Sequence, residues 1–127
     1  MENQETMKKK VTQVIERFFA EYMSLKPKSV SLVIQSDFIL ATLHDALSRA
    51  DHVYAKANAS CNLLIIYYQS IFFSSKHLLE EAIDQVYPQC VARSFFSPDP
   101  ESGRCIVGIS LTKNRSQKNA NRKAESL

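Results

Sequence analysis

The chain has 127 residues, 45% of them hydrophobic and 23% charged. That is enough length and apolar content for one domain with its own core, and it excludes wholesale disorder and any need for a stapling metal or disulfide. The formal charge of +3 is unevenly placed: Lys113, Arg115, Lys118, Arg122 and Lys123 against Glu125 give residues 113–127 a net +4, which leaves −1 for residues 1–112.

The first residues, MENQETMKKK, carry acids and amides where a secretory signal would carry an apolar core, so the expected location is the cytoplasm. A first helix is expected from Glu5 to Leu25. Met7, Val11, Val14, Ile15, Phe18, Tyr22 and Leu25 form one stripe, and Pro27 is expected to end it. The run SVSLVIQSDFILATLH then alternates apolar and polar residues on both sides of Gln35-Ser36-Asp37, the pattern of an antiparallel hairpin with one face buried. After Leu47, the spacing Ser48-Arg49-Ala50-Asp51 is that of a capping box and predicts a short helix.

The stretch from Cys61 to Tyr87 dominates the rest. Leu64, Tyr68, Ile71, Leu78 and Ala82, flanked by Ile65, Phe72, Leu79, Ile83 and Val86, recur at helical spacing and should lie on a sheet. Asn62, Gln69, Lys76, His77, Glu80 and Asp84 form the face expected to meet water, but Ile66 and Phe73 interrupt it. A helix apolar on more than one side needs more than one cover, so Ile66, Tyr67 and Phe73 are expected to form a subunit interface. Its longest uninterrupted apolar run, Leu63 to Tyr68, is far short of the ~18 residues that cross a bilayer, and no membrane span is expected. Pro88 stops the helix. CVARSFF and CIVGISL then give two more strands around a polar turn, with Phe96 expected opposite Cys105 and Cys90 opposite Leu111. The fold class is therefore α+β, a two-layer sandwich in the order α-β-β-(α)-α-β-β. Its four-stranded antiparallel sheet carries the long helices on one face. Residues 1–112 form a single domain and 113–127 a basic, disordered tail.

Little in the chain points to catalysis. Two glycines, Gly103 and Gly108, cannot make a phosphate-binding loop or a dinucleotide fingerprint. His44, His52 and His77 share no metal-ligand spacing with each other or with a cysteine. Cys61, Cys90 and Cys105 form no CxxC pair and read as small buried side chains, although a helix amino terminus at Cys61 would favour its thiolate. No cofactor, metal or catalytic residue is expected. Tyr67, Tyr68, Phe72 and Phe73 have no basic residue among them from Cys61 to Ser75, which argues against stacking on nucleic-acid bases.

Lys26-Pro27-Lys28-Ser29-Val30 before the first strand, Leu47-Ser48-Arg49-Ala50-Asp51, and Ser97-Pro98-Asp99 before the last strand stand in an order that resembles the MpsC family. These are small bacterial proteins named for a Na+-translocating, membrane-potential-generating system. The resemblance runs from Val11 to Thr112. Ser48 and Asp51 stand where that family usually has Thr and Glu. The resemblance implies an accessory role in ion or inorganic-carbon transport, without a catalytic site, and a membrane transport complex as a partner. Within it, Leu47, Ser48 and Asp51 are the family motif, and the residues themselves read as a helix cap.

Three readings follow. The first is a non-enzymatic homodimeric accessory or regulatory module. The second is a small-molecule sensor with a pocket between the sheet and the central helix. The third is nucleic-acid or membrane-surface binding through the basic tail.

Overall fold

A computed structural model describes residues 4–58 and 63–112. The elements follow the expected order: α1 (Gln4–Tyr22), β1 (Ser29–Ile34), β2 (Phe38–His44), α2 (Arg49–Ala57), α3 (Leu63–Val86), β3 (Cys90–Asp99) and β4 (Arg104–Thr112). The four strands form one antiparallel sheet in the order β1-β2-β4-β3. Each hairpin thus contributes one inner strand, β2 or β4, and one edge strand, β1 or β3.

Alternation along the strands selects the buried face. Ile39, Ala41 and Leu43 of β2, Cys105, Val107 and Ile109 of β4 and Val91 and Phe96 of β3 are buried together with Val11, Ile15, Phe18 and Phe19 of α1 and Tyr68, Phe72, Leu79 and Ile83 of α3. Aromatic rings lock the two layers. Phe72 stacks on Phe96 with centroids 5.2 Å apart, and Phe19 meets both rings. Each such pair contributes about 0.5–1.5 kcal/mol beyond the area it buries. The two long helices run antiparallel, since Phe18 and Phe19 meet Phe72 while Met7 and Val86 line one groove nearer their other ends.

Three expectations need correction. Helix α1 ends at Tyr22 rather than Leu25, and Pro27 is not what stops it. Ser24 takes a left-handed conformation, φ 53°, and the Leu25 N–H donates back to the Phe19 carbonyl at 2.9 Å, a Schellman-type closure. In the last turns of the helix Phe18 and Phe19 are buried, whereas Tyr22, expected on the buried stripe, is 47% exposed.

Second, Glu80 does not face water. It is buried and accepts a 2.6 Å hydrogen bond from Ser94 Oγ on β3. Third, the β3–β4 register differs: Phe96 faces Val107, Cys105 faces Pro98 and Cys90 faces Thr112. The cause is twofold. Gly103, at φ 78°, belongs inside the turn, where its N–H donates to the Asp99 carbonyl, and an irregularity between Val91 and Arg93 shifts the pairing again. Cys90 and Cys105 are both free thiols, Cys105 buried as expected and Cys90 only partly so.

Candidate functional site

The motif around Ser48 builds a junction. Ser48 caps α2, its Oγ accepting from the Asp51 N–H at 3.1 Å. Asp51 also uses its carboxylate beyond its own helix: Oδ2 accepts a hydrogen bond from the Tyr68 hydroxyl of α3. Burial first, and then this bond and the charge of Asp51, push the Tyr68 phenol well above its usual range. Leu47 packs partly buried against the core, and the Ala46 N–H donates to the Gly103 carbonyl at 2.9 Å. The segment therefore pins α2 to both α3 and the β3–β4 turn.

The three residues expected at a subunit interface are all exposed: Ile66 55%, Tyr67 57% and Phe73 73%. They do not share one line. Ile66 and Phe73 are two turns apart on a single strip of α3, whereas Tyr67 is rotated about 100° from Ile66 and meets the Tyr68 ring edge-on. Lys76 Nζ lies 5.1 Å from the centroid of the Phe73 ring. On the same strip as Ile66 and Phe73, Asp84 Oδ1 accepts from the Val91 N–H at 2.8 Å and Glu80 holds Ser94, so this flank of α3 faces β3.

Two surfaces were not anticipated. Along β3 the alternation places Phe95 and Phe96 on opposite faces. Phe95 therefore lies on the sheet's open side, 57% exposed, in one cross-strand row with Val33, Leu40 and Gly108. The adjacency of two phenylalanines in a strand is the sequence signal for this. The other surface is an open groove of about 1160 Å³ between α1 and α3, with Val14, Phe18, Leu78 and Val86 in its lining and Lys10 and Arg17 among its polar residues. It lies elsewhere than the pocket expected between sheet and helix, where Phe72 and Phe96 fill the space.

The histidines do not converge. His44 Nε2 is 2.9 Å from Ser31 Oγ, His52 lies beside Gly103, and His77 is exposed. Among the described residues no group of three or more His, Cys, Asp or Glu could hold a metal ion, and no helix is long and apolar enough to cross a membrane. Cys61 and the tail residues Lys113, Arg115, Lys118, Arg122 and Lys123 lie outside the described residues.

No curated protein and no solved structure matches the chain. The family model described as Na+-translocating membrane potential-generating system (MpsC) matches residues 3–113, which takes in all of the described fold, and the chain belongs to the MpsC family.

Proposed function

We propose that this chain is a non-catalytic, homodimeric accessory protein of a Na+-translocating, membrane-potential-generating system, acting from the cytoplasm. The link to such a system rests on the family description. The accessory role is supported by the use of the polar pairs: Ser48 with Asp51 caps α2, and Asp51 with Tyr68, Glu80 with Ser94 and Asp84 with Val91 each join elements of the fold. The observation that carries the dimer is the exposure of Phe73, 73%, and Ile66 on a helix whose opposite side is already in the core. Large apolar side chains clustered in this way mark association surfaces. Ile66→Glu or Phe73→Glu should convert a dimer to soluble monomers, read by light scattering. A dimer that survives both substitutions rules out this strip of α3 as the interface, and a native chain that is monomeric rules out the dimer.

A second reading, small-molecule sensing, is favoured by the groove between α1 and α3. Its apolar lining with Lys10 and Arg17 nearby suits an amphipathic anion. A raised melting temperature in the presence of such ligands, lost in Val14→Glu, would support it. An unchanged melting temperature across a panel of amphipathic anions would not.

A further inference from the structure

An antiparallel sheet covered on one side commonly turns polar side chains to water on the other. Here α1 and α3 pack on one side, and the middle of the other is not of that kind. Register places two cross-strand rows there: Val33, Leu40, Gly108 and Phe95 in one, and Ser31, Thr42, Ile106 and Ser97 in the next. Neither row carries a charged residue, and the first is apolar throughout. Phe38, two residues before Leu40 on the same strand, extends the patch. Val33 is 47% exposed, Phe38 39%, Phe95 57% and Ile106 42%. Taking roughly 150–250 Å² for a large apolar side chain, these four expose about 300–450 Å², the size of the largest patch on a typical monomer. The patch is also flat. The Phe95 ring lies across β4 with its far edge over Gly108, where a Cβ would overlap it, so glycine at that position lets the ring lie down on the sheet.

Charge is kept to the two ends of this face. At one end Asp99 stands opposite Arg104, and the two cancel. At the other, Phe38 and Arg93 flank Ser110, and Asp37 of the adjoining turn offsets Arg93. Strand β4 leaves the sheet at this second end: Thr112 is its last residue, and residues 113–127 follow with their net +4. The chain's excess positive charge therefore starts at the border of the apolar patch.

This segregation decides the occupant. Single-stranded nucleic acid calls for Arg or Lys interleaved with the rings, and the middle rows have neither. A flat apolar surface bordered by a polybasic segment supplies instead the two signals, apolar insertion and attraction to acidic headgroups, that together hold a protein on a bilayer. We propose that the open face of the sheet docks on an anionic lipid bilayer. Val33, Phe38, Phe95 and Ile106 enter the boundary between headgroups and acyl chains, and the basic residues beyond Thr112 meet the acidic headgroups. This site is separate from the strip proposed to join two copies, since Ile66 and Phe73 lie on α3 in the helical layer.

The chain has no tryptophan, so Phe95→Trp puts a single fluorophore on the patch. With phosphatidylglycerol vesicles its emission should move to the blue and be quenched by lipids brominated along their acyl chains. Phe73→Trp, in the helical layer, should show neither effect. Co-sedimentation of the full chain with the same vesicles gives the affinities. Phe95→Glu and Ile106→Glu should each weaken binding at least about tenfold, because a carboxylate must then enter the apolar boundary. Replacing Lys113, Arg115, Lys118, Arg122 and Lys123 together by glutamine should weaken it at least about a hundredfold. Added salt should weaken the native chain's binding, and phosphatidylcholine vesicles should not retain it. Far-UV circular dichroism verifies that each variant is folded. A native chain that ignores anionic vesicles, or that binds single-stranded nucleic acid in their place, overturns the proposal and leaves the dimer standing. Vesicle binding that needs the five basic residues but survives both glutamate variants, with no shift in Phe95→Trp emission, overturns the role of the sheet face.

Discussion

Cys105 sits on β4 with its side chain wholly in the core, facing Pro98 across the ladder. Burial pushes its thiol up from about 9 to about 11; the Asp99 carboxylate adds to this, and the backbone bond at Asp99 opposes it. The folded chain thus keeps a proton that the unfolded chain releases near pH 9. Its contribution to stability is fully present below pH 9 and is lost as pH rises through 11, about 2–3 kcal/mol over two pH steps. Urea unfolding from pH 8 to 11 should therefore show a steeper loss for the native chain than for Cys105→Ala. The variant should begin about 1 kcal/mol less stable from the removed sulfur and then decline more slowly. Parallel curves would mean that the thiol does not titrate with folding. Tyr68, whose phenol burial also raises, adds to the loss once pH passes its ordinary value of about 10.

At the scale of elements, the nine-residue α2 is too short to stand alone, and the Ser48 cap and the Asp51–Tyr68 bond both stabilise it. Ser48→Ala should cost about 1 kcal/mol through the lost cap. Tyr68→Phe should cost about 1.5–3 kcal/mol, because it removes a bond to a charged acceptor. Both are measurable by denaturant melts. Since both changes loosen the same helix, the double variant should fall short of the sum, and full additivity would mean that the two bonds hold α2 independently. The cap was legible because it is local: hydroxyl and amide are three residues apart. Asp51's second partner was not, because Tyr68 is seventeen residues away and only the fold brings it close. Glu80 shows the same limit, reading as a solvent-facing carboxylate until Ser94 of another element supplies its donor. The strands themselves were plain from alternation. Their register was not, since it turned on Gly103 lying inside the turn and on an irregularity between Val91 and Arg93 that leaves no mark in the apolar pattern. Likewise, the end of α1 depended on one serine adopting a left-handed backbone, which composition does not announce.

At the scale of the whole molecule, the sandwich has helices on one side of its sheet only, and its apolar surface continues past the core at the α3 flank and on the open sheet face around Phe95. If the α3 flank joins two copies, association is coupled to folding, and while the dimer is populated the chain's stability must depend on its own concentration. Each tenfold increase in protein adds about 1.4 kcal/mol per dimer, or about 0.7 per chain. For a domain of this size, that raises the melting temperature by about 2–4 °C. Phe73→Glu should remove the dependence while leaving the core untouched, because its ring contributes to no buried cluster. Its melting temperature should be flat with concentration and should meet that of the native chain at high dilution, where the native dimer has dissociated. Phe95→Glu, on the opposite layer, should keep the native slope, because the sheet's open face takes no part in this association. A native chain whose melting temperature ignores concentration would refute the dimer, and a slope abolished by Phe95→Glu but not by Phe73→Glu would move the interface to the open face of the sheet.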